Sequence, residues 1–300
     1  MSGFSAEWLA FREPVDAASR NPGLTARLLA WRRRYAALAV LDLGGGTGAN
    51  VRFLAPLLGG EQRWRLVEHD PALLAQSEGL FRRWAAERGM AAVDENGGLV
   101  LADAANRCWL EQLCLDLAGE WKRLSFQDVN LVTASALIDL VSPGWLERLA
   151  RRCWEWRAAV CIVLSYDGAI AWEPAMEGDE GARERVNRHQ RTDKGFGRAL
   201  GPDAAPALAT LLERLGYRVA LRPSPWRLGS EQAEMQAALL AGWVEAARQL
   251  DPEPGAWLES WSADRRRLIE RRESRLRVGH WDLFAWLDEW PATGYFPREN

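Results

Sequence analysis

An α/β fold built on a mostly parallel sheet is predicted by three observations. Short apolar runs alternate with segments of helical period, the pattern of strands joined by crossover helices. A glycine cluster, Gly44-Gly45-Gly46-Thr47-Gly48, follows the first such run and leads straight into a helix. The chain has 300 residues and is 48% hydrophobic, material for one large elaborated domain.

The elements follow in order. Ala6 to Arg34 reads as two helices broken at Asn21-Pro22-Gly23, a helical cap over residues 1–35. Ala39 to Leu43 is a strand, and a helix runs from about Thr47 to Leu58. Trp64 to Val67 is the second strand. Asp70-Pro71 then starts a helix, with an acid at the N-cap and proline at the first helical position, and Gly89 ends it. Asn96-Gly97 between two short apolar runs signals a hairpin within Ala91 to Ala102. The third core strand is placed at Leu113 to Leu117, with Leu99 to Ala102 as the competing choice. Val129 to Ala134 is the fourth strand, Trp145 to Trp156 a helix and Ala158 to Leu164 the fifth strand. Residues 166–202 are charged, glycine-rich and without clear period, which reads as a lid-like loop. Asp203 to Leu215 is a helix and Tyr217 to Leu221 a strand. A helical insertion spans 230–275 and a last strand covers Val278 to Trp286.

Composition narrows the function classes. The formal net charge is −3, which disfavours a general nucleic-acid or membrane-surface binder. The arginine-rich stretch Arg265 to Arg275 reads as a solvated helix face. The opening residues carry no basic segment followed by an apolar run, so no secretory signal is read and a cytoplasmic location is expected. None of the four cysteines stands in a CxxC pair and the chain has three histidines, so no metal site is expected. Free thiols in a reducing compartment fit that pattern.

The glycine cluster carries the chemistry. Glycines let the backbone turn tightly and let a ligand approach the main chain. Gly44, Gly46 and Ala49 also satisfy the loose GxGxxA dinucleotide pattern, so glycines alone are a weak signal. Asp42 sharpens it: a carboxylate there can meet a cationic ligand or hold the loop. Glu68, at the end of the second strand, is placed to take both hydroxyls of a ribose, or is a solvated strand-end acid.

With these residues the chain resembles the class I S-adenosylmethionine-dependent methyltransferases. Val40 to Gly48 (VLDLGGGTG) matches their first motif. Val67 to Pro71 (VEHDP) resembles their second-strand motif, and Leu115 to Val132 the stretch from their adenine-contacting acid to the fourth strand. WLAFREPVDAASR and HQRTDKGFGRALGP are similar to segments of a bacterial subgroup. The resemblance implies a Rossmann-like, seven-stranded, mostly parallel sheet with an antiparallel last strand and helices on both faces. It implies S-adenosylmethionine held by Asp42, Gly44, Gly46, Gly48, Glu68 and His69, with Asp116, Leu117 and Ser135 beyond. Asp103 is the alternative to Asp116. Arg12 would meet the methionine carboxylate of the cofactor, or make a surface ion pair.

The acceptor is expected over the carboxyl ends of the fourth and fifth strands. Asp139 would orient or deprotonate it, or cap a helix. Tyr166, Asp167, Arg191 and Lys194 would bind it, and His189 would serve as a base or be structural. The basic groups point to an anionic or carbonyl-bearing small molecule. An NAD(P)-dependent oxidoreductase and a non-catalytic binding protein of the same fold are the alternatives. Neither the acceptor nor the oligomeric state is legible in the sequence.

Overall fold

The computed structural model describes residues 5–250 and 256–288; the rest of the cap at 1–4, of the helical block at 251–255 and of the domain beyond 288 lies outside them. Ser5 and Asn21 accept hydrogen bonds from Trp8 N and Leu24 N, capping α1 (Ala6–Ser19) and α2 (Pro22–Arg32). β1 (Ala37–Leu43) runs into the glycine loop and α3 (Ala49–Leu58). β2 (Gly60–Glu68) follows, then α4 (Pro71–Glu87), capped by Asp70 as the sequence predicts.

The hairpin forms around its Asn-Gly turn. β3 (Ala91–Glu95) and β4 (Gly98–Ala102) pair antiparallel, with Asn96 at φ 51° and Gly97 at φ 79°. β5 (Asn106–Cys114) pairs antiparallel to β4 and parallel to β2. The third core strand therefore starts earlier than Leu113 and stops at Cys114. Asn106, Arg107 and Glu111 leave only three apolar residues together in its amino-terminal half, which therefore hides from a search for apolar runs.

β6 (Leu131–Ser135), α5 (Pro143–Glu155) and β7 (Ala159–Glu173) come next. β7 more than doubles the predicted fifth strand, and α6 (Asp179–Gln190) follows it. The predicted loop at 166–202 is thus strand, helix and a tight turn. Its charges hid the period because α6 buries only Ala182 and Val186. α7 (Ala204–Arg214), β8 (Arg218–Pro223) and β9 (Trp226–Leu228) lead to α8 (Ala233–Leu250), α9 (Ala256–Glu270) and β10 (Arg275–Trp286).

The sheet order is β3-β4-β5-β2-β1-β6-β7-β10-β8, with β9 on β10. Seven strands form the expected core, and β3, β4 and β9 extend it to ten. β10 runs antiparallel to β7 and β8, as the resemblance implies. This is a Rossmann-like α/β fold with helices on both faces. No described helix is long and apolar enough to cross a membrane.

Alternation sorts the strands between two apolar clusters. Leu41 and Leu43 of β1 pack with α5 and α7; Leu38 and Val40 pack with α2 and α3. In β7 the alternation slips at Leu164, whose φ is 54°, so Val163 and Leu164 join the same cluster. Asp282 pins this irregularity. It accepts from Leu164 N at 2.9 Å, Ser224 Oγ at 2.6 Å and Asn21 N at 2.8 Å, joining β7, β10 and the start of α2.

In the arginine-rich segment Arg266, Arg267, Arg271, Arg272 and Arg275 are exposed, in keeping with a solvated face, and Arg265 alone among them departs from it. α9 ends at Glu270, and Arg265 is fully buried. It pairs with Asp179 through two nitrogens, donates to Pro174 O at 2.7 Å and lies 5.0 Å from the Trp172 ring. That pair holds α9 to the start of α6. Asp282→Ala removes the acceptor of two backbone N–H groups and should lower stability by about 2–4 kcal/mol, read as a shifted urea midpoint with an unchanged slope.

Candidate functional site

The carboxyl ends of β1, β2, β5, β6 and β7 share one edge, where the connecting loops gather. The glycine loop is tightly fitted there. Gly45 N donates to Val67 O at 3.0 Å, and a Cβ on Gly45 would stand 2.0 Å from Leu66 Cδ1. Gly48 has φ 84°, and a Cβ there would lie 2.3 Å from Phe81 Cζ. Gly44 lies under Leu137, and Gly46 under Leu9 of α1.

Asp42 occupies an apolar row, after Leu38 and Val40, and is fully buried. Its Oδ1 accepts from Asn50 Nδ2 at 2.7 Å, while Oδ2 has no partner among the described residues. Asn50 Oδ1 accepts from Arg20 Nη2 at 2.7 Å, and Asn50 Nδ2 also reaches Thr133 Oγ1 at 3.1 Å. Arg20 is buried, and its Nε and Nη1 lack hydrogen-bond partners among the described residues, as does Thr47 Oγ1. Burial pushes the Asp42 carboxyl up to about 7, opposed by the Asn50 hydrogen bond and the Arg20 charge and assisted by Glu68.

Glu68 is buried and ordered by the main chain. Oε2 accepts from Gly46 N at 2.9 Å; Oε1 accepts from His69 N at 2.8 Å and Asp70 N at 3.1 Å. The exposed His69 ring brings Nδ1 within 2.7 Å of the same Oε1. Asp116 lies just beyond β5 and accepts from Ala118 N and Gly119 N. Leu117 is buried, its carbonyl held by Trp145 Nε1 at 2.9 Å. Asp103 instead caps the turn into the amino end of β5, on the opposite edge. Ser135 closes β6 beside the loop.

Arg12 does not join Asp42. It pairs with Asp16 through two hydrogen bonds, of 2.8 and 3.2 Å, and stacks 5.0 Å from the Trp226 ring. Beyond β6, Asp139 sits in a 3-10 turn, buried, with Oδ1 unpartnered among the described residues; no side-chain capping bond forms there. Burial lifts it to about 6, opposed by its own backbone N–H and by Arg12. Tyr166 donates to Asn187 Oδ1 at 2.8 Å. Asp167 packs over Gly279, where a Cβ would meet its Oδ1 at 2.0 Å, and accepts from Ala169 N.

The remaining predicted acceptor groups make other contacts. His189 Nε2 meets Gln249 Oε1 at 2.9 Å on α8, and Lys194 Nζ lies 3.2 Å from His189 Nδ1. Burial lowers both groups. Arg191 pairs with Asp203 at 2.9 Å and lines a surface cavity of about 440 Å³ with Arg188, Thr192 and Arg198. Phe196 packs edge-on against Trp145, and Asp193 holds the Gly195 and Gly197 amides. The structure therefore gathers Asp42, Glu68, Asp139 and Tyr166 at the strand ends and ties His189, Arg191 and Lys194 to neighbouring helices.

Sequence reasoning missed Arg20, Asn50, Trp226 and His280. A usable signal existed for two of them. Asn50 interrupts the apolar side of α3, and His280 stands in the row Leu276, Val278, His280, as Asp42 does in β1. A polar residue in a buried row marks a site more sharply than a charged loop does.

No family model and no curated protein matches the chain. Solved structures align with it at low identity. The YcgJ protein from Bacillus subtilis is 13% identical, with 90% of this chain and 100% of that one covered, at a TM-score of 0.45. A SAM-dependent methyltransferase from Thiobacillus denitrificans, in complex with S-adenosyl-L-homocysteine, is 14% identical; 95% of this chain and 99% of that one are covered, at a TM-score of 0.43. A precorrin-6y C5,15-methyltransferase from Geobacter metallireducens is 11% identical over 89% of this chain and 87% of that one, at a TM-score of 0.43. Likeness of this degree assigns no chemistry.

The buried Asp42 has a pH signature. Its folded-state pKa, about 7, exceeds the ordinary 3.8, so the folded chain binds more protons between those values and Asp42 costs stability as pH rises through that window. Asp42→Asn keeps an acceptor for Asn50. Its stability relative to the unchanged protein should therefore increase from pH 4 to 7 in paired urea titrations; a flat difference would show that Asp42 ionises normally.

Proposed function

We propose that the chain is an S-adenosylmethionine-dependent methyltransferase acting on a small molecule. The observation that carries this reading is the set of orphaned polar atoms beside the glycine loop. Arg20 offers two unused cationic donors and Asp42 one unused carboxylate oxygen, each buried. Such a pair complements the carboxylate and ammonium of an amino-acid tail, which a nicotinamide dinucleotide lacks. Burying them without a ligand is costly.

The residues fit the cofactor. Arg20, in place of Arg12, would hold its carboxylate and Asp42 its ammonium. Glu68 would take the ribose hydroxyls, its carboxylate already oriented by three backbone N–H groups. Asp116 and Leu117, beyond β5, would flank the adenine. When bound, the cofactor supplies a sulfonium-activated, electrophilic methyl group. The chain's own part is to align the acceptor with that methyl and to exclude water. Leu9 and Leu137, packed on Gly46 and Gly44, serve the exclusion.

The antiparallel β10 supports this reading over an NAD(P)-dependent oxidoreductase, whose usual doubly wound sheet is mostly parallel. Calorimetric titration decides between them. S-adenosylhomocysteine should bind the wild type and NAD should not. Glu68→Ala should weaken S-adenosylhomocysteine by roughly 1.5–3 kcal/mol, the span of a charge-assisted hydrogen bond. Tight NAD binding without S-adenosylhomocysteine binding would reverse the assignment.

A further inference from the structure

A second buried cluster lies beside the glycine loop, past the carboxyl ends of β6 and β7. Asp139 enters it two residues after Leu137, the side chain that covers Gly44. His280 enters from β10, and Tyr166 from β7, their rings 6.3 Å apart. Trp226 of β9 lies 4.7 Å from His280 on its other flank, and Arg12 of α1 stacks on Trp226 at 5.0 Å. The charge of Arg12 acts on both Asp139 and His280, and that of Asp139 on Tyr166, so the groups lie within electrostatic reach of one another.

Two atoms in this cluster lack partners among the described residues: Asp139 Oδ1 and His280 Nδ1, on residues only 6% and 5% exposed. A buried polar atom left unpaired costs about 1–3 kcal/mol, so native structures seldom leave one without a use. Burial, and then Arg12, hold His280 at about 3, against a hydrogen bond to the Val278 backbone. The ring is therefore neutral near pH 7. The neutral ring carries one proton, and Nδ1, buried without a partner among the described residues, is open to present it to a ligand. Asp139, ionised above about 6, offers a lone pair.

A carboxylate acceptor beside a neutral imidazole selects a ligand that donates and accepts through one atom. An anion would face the negative charge of Asp139. A cation would meet the charge of Arg12, which acts on both Asp139 and His280. A neutral hydroxyl donates its proton to Asp139 and accepts from Nδ1–H of His280, and Arg12 favours the negative charge that grows on its oxygen as its proton leaves. The flanking Trp226 and Tyr166 rings suit a planar apolar body behind that hydroxyl.

Building on the methyltransferase reading, we propose that Asp139 and His280, flanked by Arg12, Trp226 and Tyr166, form the acceptor site, and that it takes a neutral, phenol-like hydroxyl. The hydroxyl oxygen forms a bond to the methyl carbon while the carbon–sulfur bond breaks with its electron pair to sulfur. The hydroxyl proton passes to Asp139 Oδ1, so the positive charge of the sulfonium and the negative charge of the carboxylate disappear together. His280 is a positioning residue that orients the hydroxyl through Nδ1. This replaces the anionic acceptor expected from His189, Arg191 and Lys194.

The test uses the full chain saturated with S-adenosylhomocysteine and titrated calorimetrically with 4-methylphenol, benzylamine and benzoate. The phenol should bind at least about tenfold more tightly than either charged analogue. The near-isosteric Asp139→Asn should weaken the phenol about tenfold while S-adenosylhomocysteine affinity stays within about twofold. Equal binding of benzylamine or benzoate, a phenol affinity untouched by Asp139→Asn, or no phenol binding up to its solubility limit overturns the acceptor site and leaves the cofactor reading standing. No S-adenosylhomocysteine binding to the wild type overturns the methyltransferase reading, and this proposal with it. The comparison among the three probes needs no variant, so it holds even if the substitution impairs folding.

Discussion

A single buried carboxylate organises the edge of the sheet. Asp42 stands where the alternation of β1 would place another aliphatic side chain, and it has no access to water. Such a group is tolerable only where hydrogen bonds or charge replace hydration. Asn50 bridges it to Arg20 and Thr133, and Thr133 Oγ1 donates in turn to Cys161 O at 2.8 Å. This one network joins the end of α1, the first turn of α3, and β1, β6 and β7. Each partner sits at a carboxyl end of the sheet or directly above it. The need to satisfy Asp42 therefore draws the amino-terminal helices onto that edge of the sheet.

The same logic separates two kinds of polar residue. Asp282 and Asp103 spend their oxygens on backbone N–H groups and hold the frame. Arg20, Asp42, Asp139 and His280 retain unpaired atoms deep in the protein. The first group fixes geometry. The second keeps unused bonding capacity, and capacity that is buried and unused is what a bound molecule completes. The backbone exceptions lie close by: Ala136 has φ 52° and Leu164 φ 54°, at the ends of β6 and β7. Strain of this kind persists where surrounding contacts over-determine it, and here Val163 O and Asp282 supply those contacts.

Away from the site, the long β7 and β10 extend past the parallel core and carry α6, α8 and α9. Arg265 and Asp179 lock that layer, with Trp261 Nε1 donating to the same carboxylate at 2.8 Å. The extension presents Tyr166 and His280 from adjacent antiparallel strands, in register with each other.

The sequence by itself determined the order of the seven core strands, the glycine loop, the Asn-Gly hairpin, the Asp70-Pro71 helix start and the acids at 42 and 68. Those signals are local: turn chemistry, capping and short apolar runs act over a few residues. The start of β5, the full length of β7 and helix α6 were not legible, because one-sided strands and a weakly buried helix show little periodicity. Only the tertiary structure decided which arginine lies beside Asp42. Arg12 and Arg20 lie on the same amino-terminal segment with the same chemistry; the path of α1 gives Arg12 to Asp16 and Trp226, and Arg20 to Asn50 beside Asp42. It alone joined His280 to Tyr166, since proximity across more than a hundred residues of chain is set by strand order and not by sequence.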